Sequence, residues 1–352
     1  MIRPLLPVAI VCLSFLGTLS VGAQEADPTP EATEQPAVTA EPDAATPDVD
    51  AVDPGRFGEP QLVNPDPGAV DPGRFSDRPA DAAYGAYQRG YYLTALNLAT
   101  PLALQGDAAA QTLVAEIYSR GLGVRQDIVT ALEWYEKAAE NRVPEAQFQL
   151  AMILLGGIEE FADEERAYKL LQASADAGNR MAQFNFAQLV MRRETSQEGI
   201  GKALSYYEKA AEAEVPDAQY AMAQAYFYGA GGRPVDAEQA RGWLERAAQN
   251  NFDTAQVDLG SMLVEGIGGE RDMEAGFGWL RRAASAGNPA AQNRVAKLYR
   301  AGLGVEPDRI AAAAWYMRAR RAGLVDPLME DHLLGMTDEE LAQAGEQAAS
   351  LR

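Results

Sequence analysis

Few residues in this chain could do chemistry. Of 352 residues one is a histidine, His332, and one is a cysteine, Cys12. A histidine-based triad therefore has one possible base, and no second histidine or cysteine could share a metal with it at ligand spacing. Cys12 lies inside an N-terminal segment that reads as a removable leader, so the remaining chain would offer neither a thiolate nor a disulfide. Two glycine-rich stretches, Gly229-Ala230-Gly231-Gly232 and Gly266-Ile267-Gly268-Gly269, could in principle cradle a phosphate. Both fall where a turn is expected to recur, and the turn accounts for them. Carboxylates are so abundant that no pair of them stands out as an acid and base. The expectation is a protein that is not an enzyme, with no catalytic, cofactor-binding or metal-binding residue.

Charge narrows the choice of partner. Asp and Glu number 51 against 30 Lys and Arg, a formal net charge of -21. Binding a phosphate backbone needs a basic face, so nucleic acid is not expected, and neither is docking on anionic lipid.

The N-terminus reads as an export signal over residues 1–23. Arg3 precedes an apolar stretch from Leu5 to Leu19, and Val21-Gly22-Ala23 supplies small residues for cleavage. The stretch is short for a spanning helix and is broken by Pro7. The reading is a bacterial periplasmic protein, or a secreted one, without stable membrane insertion after cleavage. Residues 24–80 then form an acidic, Pro-rich stretch with 13 acidic residues, in which Arg56, Arg74 and Arg78 are the cations. Such a composition buries too little to offset its ordering entropy, so a disordered linker is expected. Within it Asp53-Pro54-Gly55-Arg56-Phe57 recurs as Asp71-Pro72-Gly73-Arg74-Phe75. The recurrence is read either as duplicated linker or as a two-copy docking motif presenting Arg56, Phe57, Arg74 and Phe75.

From Asp81 onward the texture is helical, and it repeats. The dipeptide Ala-Gln recurs with its glutamine at 111, 147, 183, 219, 256 and 292, at spacings of 36, 36, 36, 37 and 36. An aromatic follows most of these anchors by 23 residues, as Trp134, Tyr206, Trp279 and Trp315; Trp243 follows by 24, and Leu170 replaces it in the second unit. Each unit reads as helix, loop, helix. In the first, Val114, Ala115, Ile117 and Tyr118 form an apolar stripe, Gly121-Leu122-Gly123 stops the helix, and Asp127 caps the next. Asp163, Asp236, Asp272 and Asp308 hold the matching place, with Gly199 as a weaker match in the third unit. The three tryptophans Trp134, Trp279 and Trp315 are expected to be largely buried between helices.

The run Gly-Asp-Ala-x-Ala-Gln, then Tyr-x-x-Gly-x-Gly-Val-x-x-Asp, then Ala-x-x-Trp-Tyr-x-Lys-Ala-Ala resembles the Sel-like repeat family, relatives of the tetratricopeptide repeats. The match is fullest from Gly106 to Ala139 and good from Gly287 to Ala319; the second and third units depart from it in the loop. The resemblance implies an all-α, α/α superhelical solenoid of six repeats over residues 106–323, serving as an adaptor in protein complexes. A degenerate leading helical pair is expected over 81–105 and a polar helical cap over 324–352, opened by Thr337-Asp338-Glu339-Glu340 as a capping box.

One helical face suggests a site. Positions one, five and eight after each anchor are polar at the ends: Thr112, Glu116 and Ser119 in the first unit, Asn293, Lys297 and Arg300 in the sixth. In the middle they turn apolar at positions one and eight: the second unit has Phe148, Met152 and Leu155, the third Phe184, Gln188 and Met191, the fourth Tyr220, Gln224 and Phe227, and the fifth Val257, Ser261 and Val264. The partner-binding candidates are Phe148, Met152, Leu155, Phe184, Met191, Tyr220, Phe227 and Val264. Position one is also read as packing between repeats. Exposed, the stripe would make a groove for a protein or peptide. The alternative function is glycan binding or weak hydrolysis at a cell wall, which would need exposed aromatics flanked by carboxylates.

Overall fold

The computed structural model describes residues 78–156 and 159–351, and within them every regular element is helical. The expected leader and most of the expected linker, with Arg56, Phe57, Arg74 and Phe75, lie outside the described residues. The leading pair is α1 (Pro79–Gln88) and α2 (Tyr92–Leu104). Helix α1 thus opens two residues before the expected boundary, because Pro79 suits a first helical turn. Six pairs follow: α3 (Ala108–Arg120) with α4 (Ile128–Glu140), α5 (Pro144–Leu155) with α6 (Glu164–Asp176), α7 (Arg180–Arg193) with α8 (Gln197–Glu212), α9 (Pro216–Tyr228) with α10 (Ala237–Gln249), α11 (Asp253–Glu265) with α12 (Met273–Ser285), and α13 (Pro289–Ala301) with α14 (Arg309–Arg321). The cap is α15 (Pro327–Leu334) and α16 (Asp338–Ser350). Up to α14 each helix packs on the one before and the one after it, and α16 folds back onto α14.

The recurring residues have recurring jobs. Each anchor glutamine is buried, and its Nε2 donates to a backbone carbonyl eight residues earlier, at the end of the preceding helix. The six bonds run from Gln111 to Ala103, Gln147 to Ala139, Gln183 to Ala175, Gln219 to Ala211, Gln256 to Ala248 and Gln292 to Ala284, at 3.1–3.5 Å. A helix leaves its last carbonyls without an internal partner, and the glutamine supplies one across the joint between units. The second helices start on aspartates: the carboxylates of Asp127, Asp163, Asp236, Asp272 and Asp308 each accept a backbone N–H three residues on. In the third unit the cap is Ser196 rather than Gly199; its hydroxyl accepts from Gly199 N, and α8 is accordingly longer, at 16 residues. Gly199 lies inside the first turn, where a Cβ would come within 2.5 Å of the Glu194 carbonyl.

The paired loop glycines also set spacing. At Gly304, where φ is +68 to +71 along the loop pair, a Cβ would approach the Met273 carbonyl to 2.0 Å, so this loop lies directly on the start of α12. Trp134 and Trp315 are buried as expected, at 9% and 3% exposure, whereas Trp279 is half-buried. The Arg282 guanidinium lies over the Trp279 ring at 5.6 Å. The same pairing of an aromatic with a cation three residues on occurs at Trp134–Lys137, Tyr206–Lys209, Trp243–Arg246 and Trp315–Arg318. It forms a ladder along the second helices.

Candidate binding cleft

The apolar stripe of the first helices is neither sealed nor bare. Leu155, Met191, Phe227 and Val264 at position eight are all half-buried, as are Phe148, Phe184 and Tyr220 at position one and Met152 at position five; Val257 is buried. All of these but Met152 pack against the core beneath: the Phe184 ring, for example, meets the Tyr207 ring edge-on at 5.8 Å.

The polar ends of the stripe have a structural cause. Asn293 is buried, and its amide donates to Asp326 Oδ2 at 2.9 Å, while Lys297 Nζ reaches the same oxygen at 2.5 Å. Asp326 in turn caps α15 through the N–H groups of Leu328 and Met329. At the other end Glu116 accepts from the Tyr135 hydroxyl at 2.8 Å and from Arg120 at 2.9 Å, and Tyr87 of α1 reaches it at 3.5 Å. These polar residues hold the terminal caps in place. The contrast along the stripe therefore reflects capping as well as any groove.

Where the stripe does open is at the fourth and fifth units. A cleft of about 210 Å³ lies between α9 and α11, with the buried Ala240 and Leu244 of α10 and the Arg294 of α13 also lining it. Tyr220 and Phe227 of the candidates line it, with Gln224, Val257 and Ser261 from the same register. Phe148, Met152, Leu155, Phe184, Met191 and Val264 are not part of its wall. The α11–α12 pair beside it is drawn tight by two glycines: a Cβ on Gly260 would fall 2.7 Å from Leu280 Cγ, and one on Gly276 would fall 2.7 Å from the Gly260 carbonyl.

Of the polar residues of the cleft, Gln224 and Ser261 stand at position five of the stripe, while Asp258 and Arg294 lie off it. Asp258 follows Val257, one position off the face, and its Oδ2 accepts a 2.9 Å hydrogen bond from the Tyr220 hydroxyl. Burial pushes the Asp258 carboxyl above its ordinary range; the Tyr220 bond and the charge of Arg294 pull it back only in part. Gln224 Oε1 is buried and accepts no hydrogen bond from any described residue. The exposed Tyr228 and Glu265 form the rim, and the Phe227 and Tyr228 rings meet edge-on at 5.1 Å. A reading of position two across the units would have found the charges: Leu113, Gln149, Asn185 and Ala221 give way to Asp258 and then Arg294. Elsewhere His332 Nε2 lies 3.1 Å from the Arg309 carbonyl oxygen, and no cluster of three metal-ligating side chains occurs among the described residues. No helix among them is long and apolar enough to cross a membrane.

The arrangement has known counterparts. The Sel1 repeat model matches residues 108–142, 144–179, 195–215, 216–252, 254–288 and 289–324, more than half of the chain. The chain belongs to the Sel1 repeat family. The third Sel1 match takes in α8 and leaves α7 out, in keeping with the altered loop and cap of that unit. Among solved structures, the solenoid is similar to a protective antigen of uropathogenic Escherichia coli with an SLR fold. The two are 27% identical, with a TM-score of 0.63 over 78% of this chain and 62% of that one. It is also similar to a Sel1 repeat protein of Oxalobacter formigenes, at 30% identity and a TM-score of 0.56, covering 73% and 78%. A curated relative is chitin synthase regulatory factor 3 of Schizosaccharomyces pombe, 29% identical over 171 residues, which are 44% of this chain and 18% of that protein. The chain thus matches a small part of that relative and less than two thirds of the antigen. Sel1 repeats are generally scaffolds rather than enzymes, and scaffolds of this family are typical of protein–protein interaction.

Proposed function

We propose that this Sel1 solenoid is an exported scaffold that holds a peptide segment of a protein partner in the cleft between α9 and α11. The observation that carries the reading is the cleft itself: a mostly apolar wall with Tyr220 and Phe227, and two polar groups, Gln224 Oε1 and Asp258, set into it. Recognition sites of this kind combine an apolar body with a few placed polar groups. An unpartnered carbonyl oxygen calls for a donor such as a peptide N–H. Export to a bacterial periplasm is supported by Arg3, the apolar run Leu5 to Leu19 and the small residues Val21-Gly22-Ala23. A glycan reading draws on Tyr228 at the rim beside Glu265. The apolar lining of Ala240 and Leu244 favours the peptide.

Selection of a random peptide library on the full chain tests this, with an oligosaccharide set screened alongside. Enriched peptides are expected to lose at least about tenfold in affinity on Phe227→Ser, equivalent to about 1.4 kcal/mol. Glu265→Lys at the rim, which leaves the core untouched, is expected to change which peptides are enriched. The reading fails if no peptide distinguishes the wild type from both variants.

A further inference from the structure

The duplicated Asp-Pro-Gly-Arg-Phe motif finds a complement in the cleft. The motif carries an anion, a Pro-Gly pair, a cation and an aromatic ring in that order. The cleft presents the cation of Arg294, an aromatic and aliphatic wall of Tyr220, Phe227 and Val257, and the carboxylates of Asp258 and Glu265. An apolar cavity of about 150 Å³ accepts a benzene ring. The 210 Å³ between α9 and α11 therefore holds one phenyl side chain with room for the neck of a guanidinium. Asp53 paired with Arg294, and Arg56 with Asp258 or Glu265, would satisfy both signs of charge.

Chain length separates the two copies. Phe57 stands 21 residues before Arg78, where the described solenoid begins, and Phe75 stands three before it. At a maximum of roughly 3.3–3.6 Å per residue the first tether spans up to about 70 Å and the second about 10 Å. Four repeat units separate α1 from α9, and at roughly 10 Å for each layer of packed helices the span is on the order of 40 Å. The first copy can reach the cleft and the second cannot.

From this complementarity and reach we infer that Asp53-Pro54-Gly55-Arg56-Phe57 docks in cis in the α9–α11 cleft, with Phe57 in the aromatic wall and Arg56 against Asp258 and Glu265. The inference rests on the cleft being a peptide site. A partner then has to displace a segment present at an effective concentration on the order of a millimolar, which makes the solenoid a self-masked scaffold.

The test is binding of a labelled synthetic peptide, residues 50–60, to the full chain in trans, followed by fluorescence anisotropy. Phe57→Ser in the full chain is expected to tighten the apparent affinity of the peptide about fivefold or more, because the cis competitor is gone. Phe75→Ser is expected to leave it at the wild-type value. Adding Phe227→Ser or Asp258→Asn to the Phe57→Ser chain is expected to abolish the gain. Equal affinity for wild type and Phe57→Ser, or no binding of the peptide to either, overturns the inference. Library peptides that bind through Phe227 while this peptide does not would leave the peptide site standing and remove only the cis occupant; loss of both removes the site.

Discussion

The Tyr220 hydroxyl donates to Asp258 Oδ2 at 2.9 Å across the joint between the fourth and fifth units. Two units on, Asn293 makes the equivalent bond to Asp326 across the joint to the cap. Position one of the first helix is thus a place where one unit grips the next, and in the fourth unit the grip sits in the wall of the cleft.

The Asp258 carboxyl is expected to trade stability for binding. Its folded-state pKa is raised above the ordinary 3.8, chiefly by burial. At neutral pH the fold therefore carries a carboxylate it would rather have protonated. Asp258→Asn keeps an acceptor for Tyr220 and removes the charge, so its melting temperature should exceed the wild type's at neutral pH. The gap should close as pH falls through the raised value and vanish below 3.8. Capture of basic peptides should fall in the same variant. A variant that loses both stability and binding at pH 7 would contradict this.

The anchor glutamines should be unequal. Gln219 is fully buried with both ends used, since Oε1 also accepts from Asn250 at 3.1 Å. Gln292 donates to Ala284, while its Oε1 accepts nothing from the described residues. Gln219→Leu is expected to cost about 1–3 kcal/mol by urea denaturation, and Gln292→Leu less.

Much of this was readable beforehand, for physical reasons. The period and the aspartate caps were legible because each unit meets the same steric problem at the same place. The cap of the third unit was missed because a serine three residues earlier takes over from the aspartate, a local substitution that the register alone conceals. Trp279 was expected to be buried on its type but is half-buried, and the cation beside it does not account for that, since Trp134 and Trp315 have the same cation three residues on and are buried. The cleft was half legible: Tyr220 and Phe227 stood out by hydrophobicity, while Asp258 and Arg294 stand at position two, one place off that face. The polarity of Asn293 and Lys297 looked like the end of a groove, but it comes from their bonds to Asp326.

Trp315→Ala is expected to cost about 3–5 kcal/mol, because the ring is nearly sealed, and Trp279→Ala clearly less. Hydrogen exchange should show the loosening confined mainly to the affected unit and its neighbours. Uniform loosening of all helices would argue against nearest-neighbour coupling.

The C-terminal cap should detach in acid. Burial alone would raise the Asp326 carboxyl, but the bonds from Lys297 and Asn293 outweigh it and hold its pKa below 3.8. A depressed folded-state value means the stabilisation is present above 3.8 and is lost as pH falls through the lower one. Exchange of α15 and α16 should therefore rise at low pH before that of α13. Asp326→Ala is expected to bring the same pattern at neutral pH, with about 1 kcal/mol lost from the helix cap alone.

Three units turn with a side chain where the others use glycine. Arg142, Glu214 and Asn251 adopt φ of 59, 63 and 64, in place of Gly106, Gly178, Gly287 and Gly323. A left-handed non-glycine residue costs roughly 1–2 kcal/mol. Glu214→Gly is expected to raise stability in urea, by less than that amount because glycine also loosens the unfolded chain. An unchanged or lower midpoint would show that the side chain offsets its own strain.

Each glutamine staple spans eight residues, and each helix seeks its partners next door in sequence. No step of assembly has to bring distant parts of the chain together, so the usual penalty of topology on folding speed is small. Adding or removing a whole unit of about 36 residues leaves every remaining staple with its own donor and carbonyl. A chain built this way can change length by duplication without searching for a new fold, and the cleft can be carried to another place along the solenoid intact.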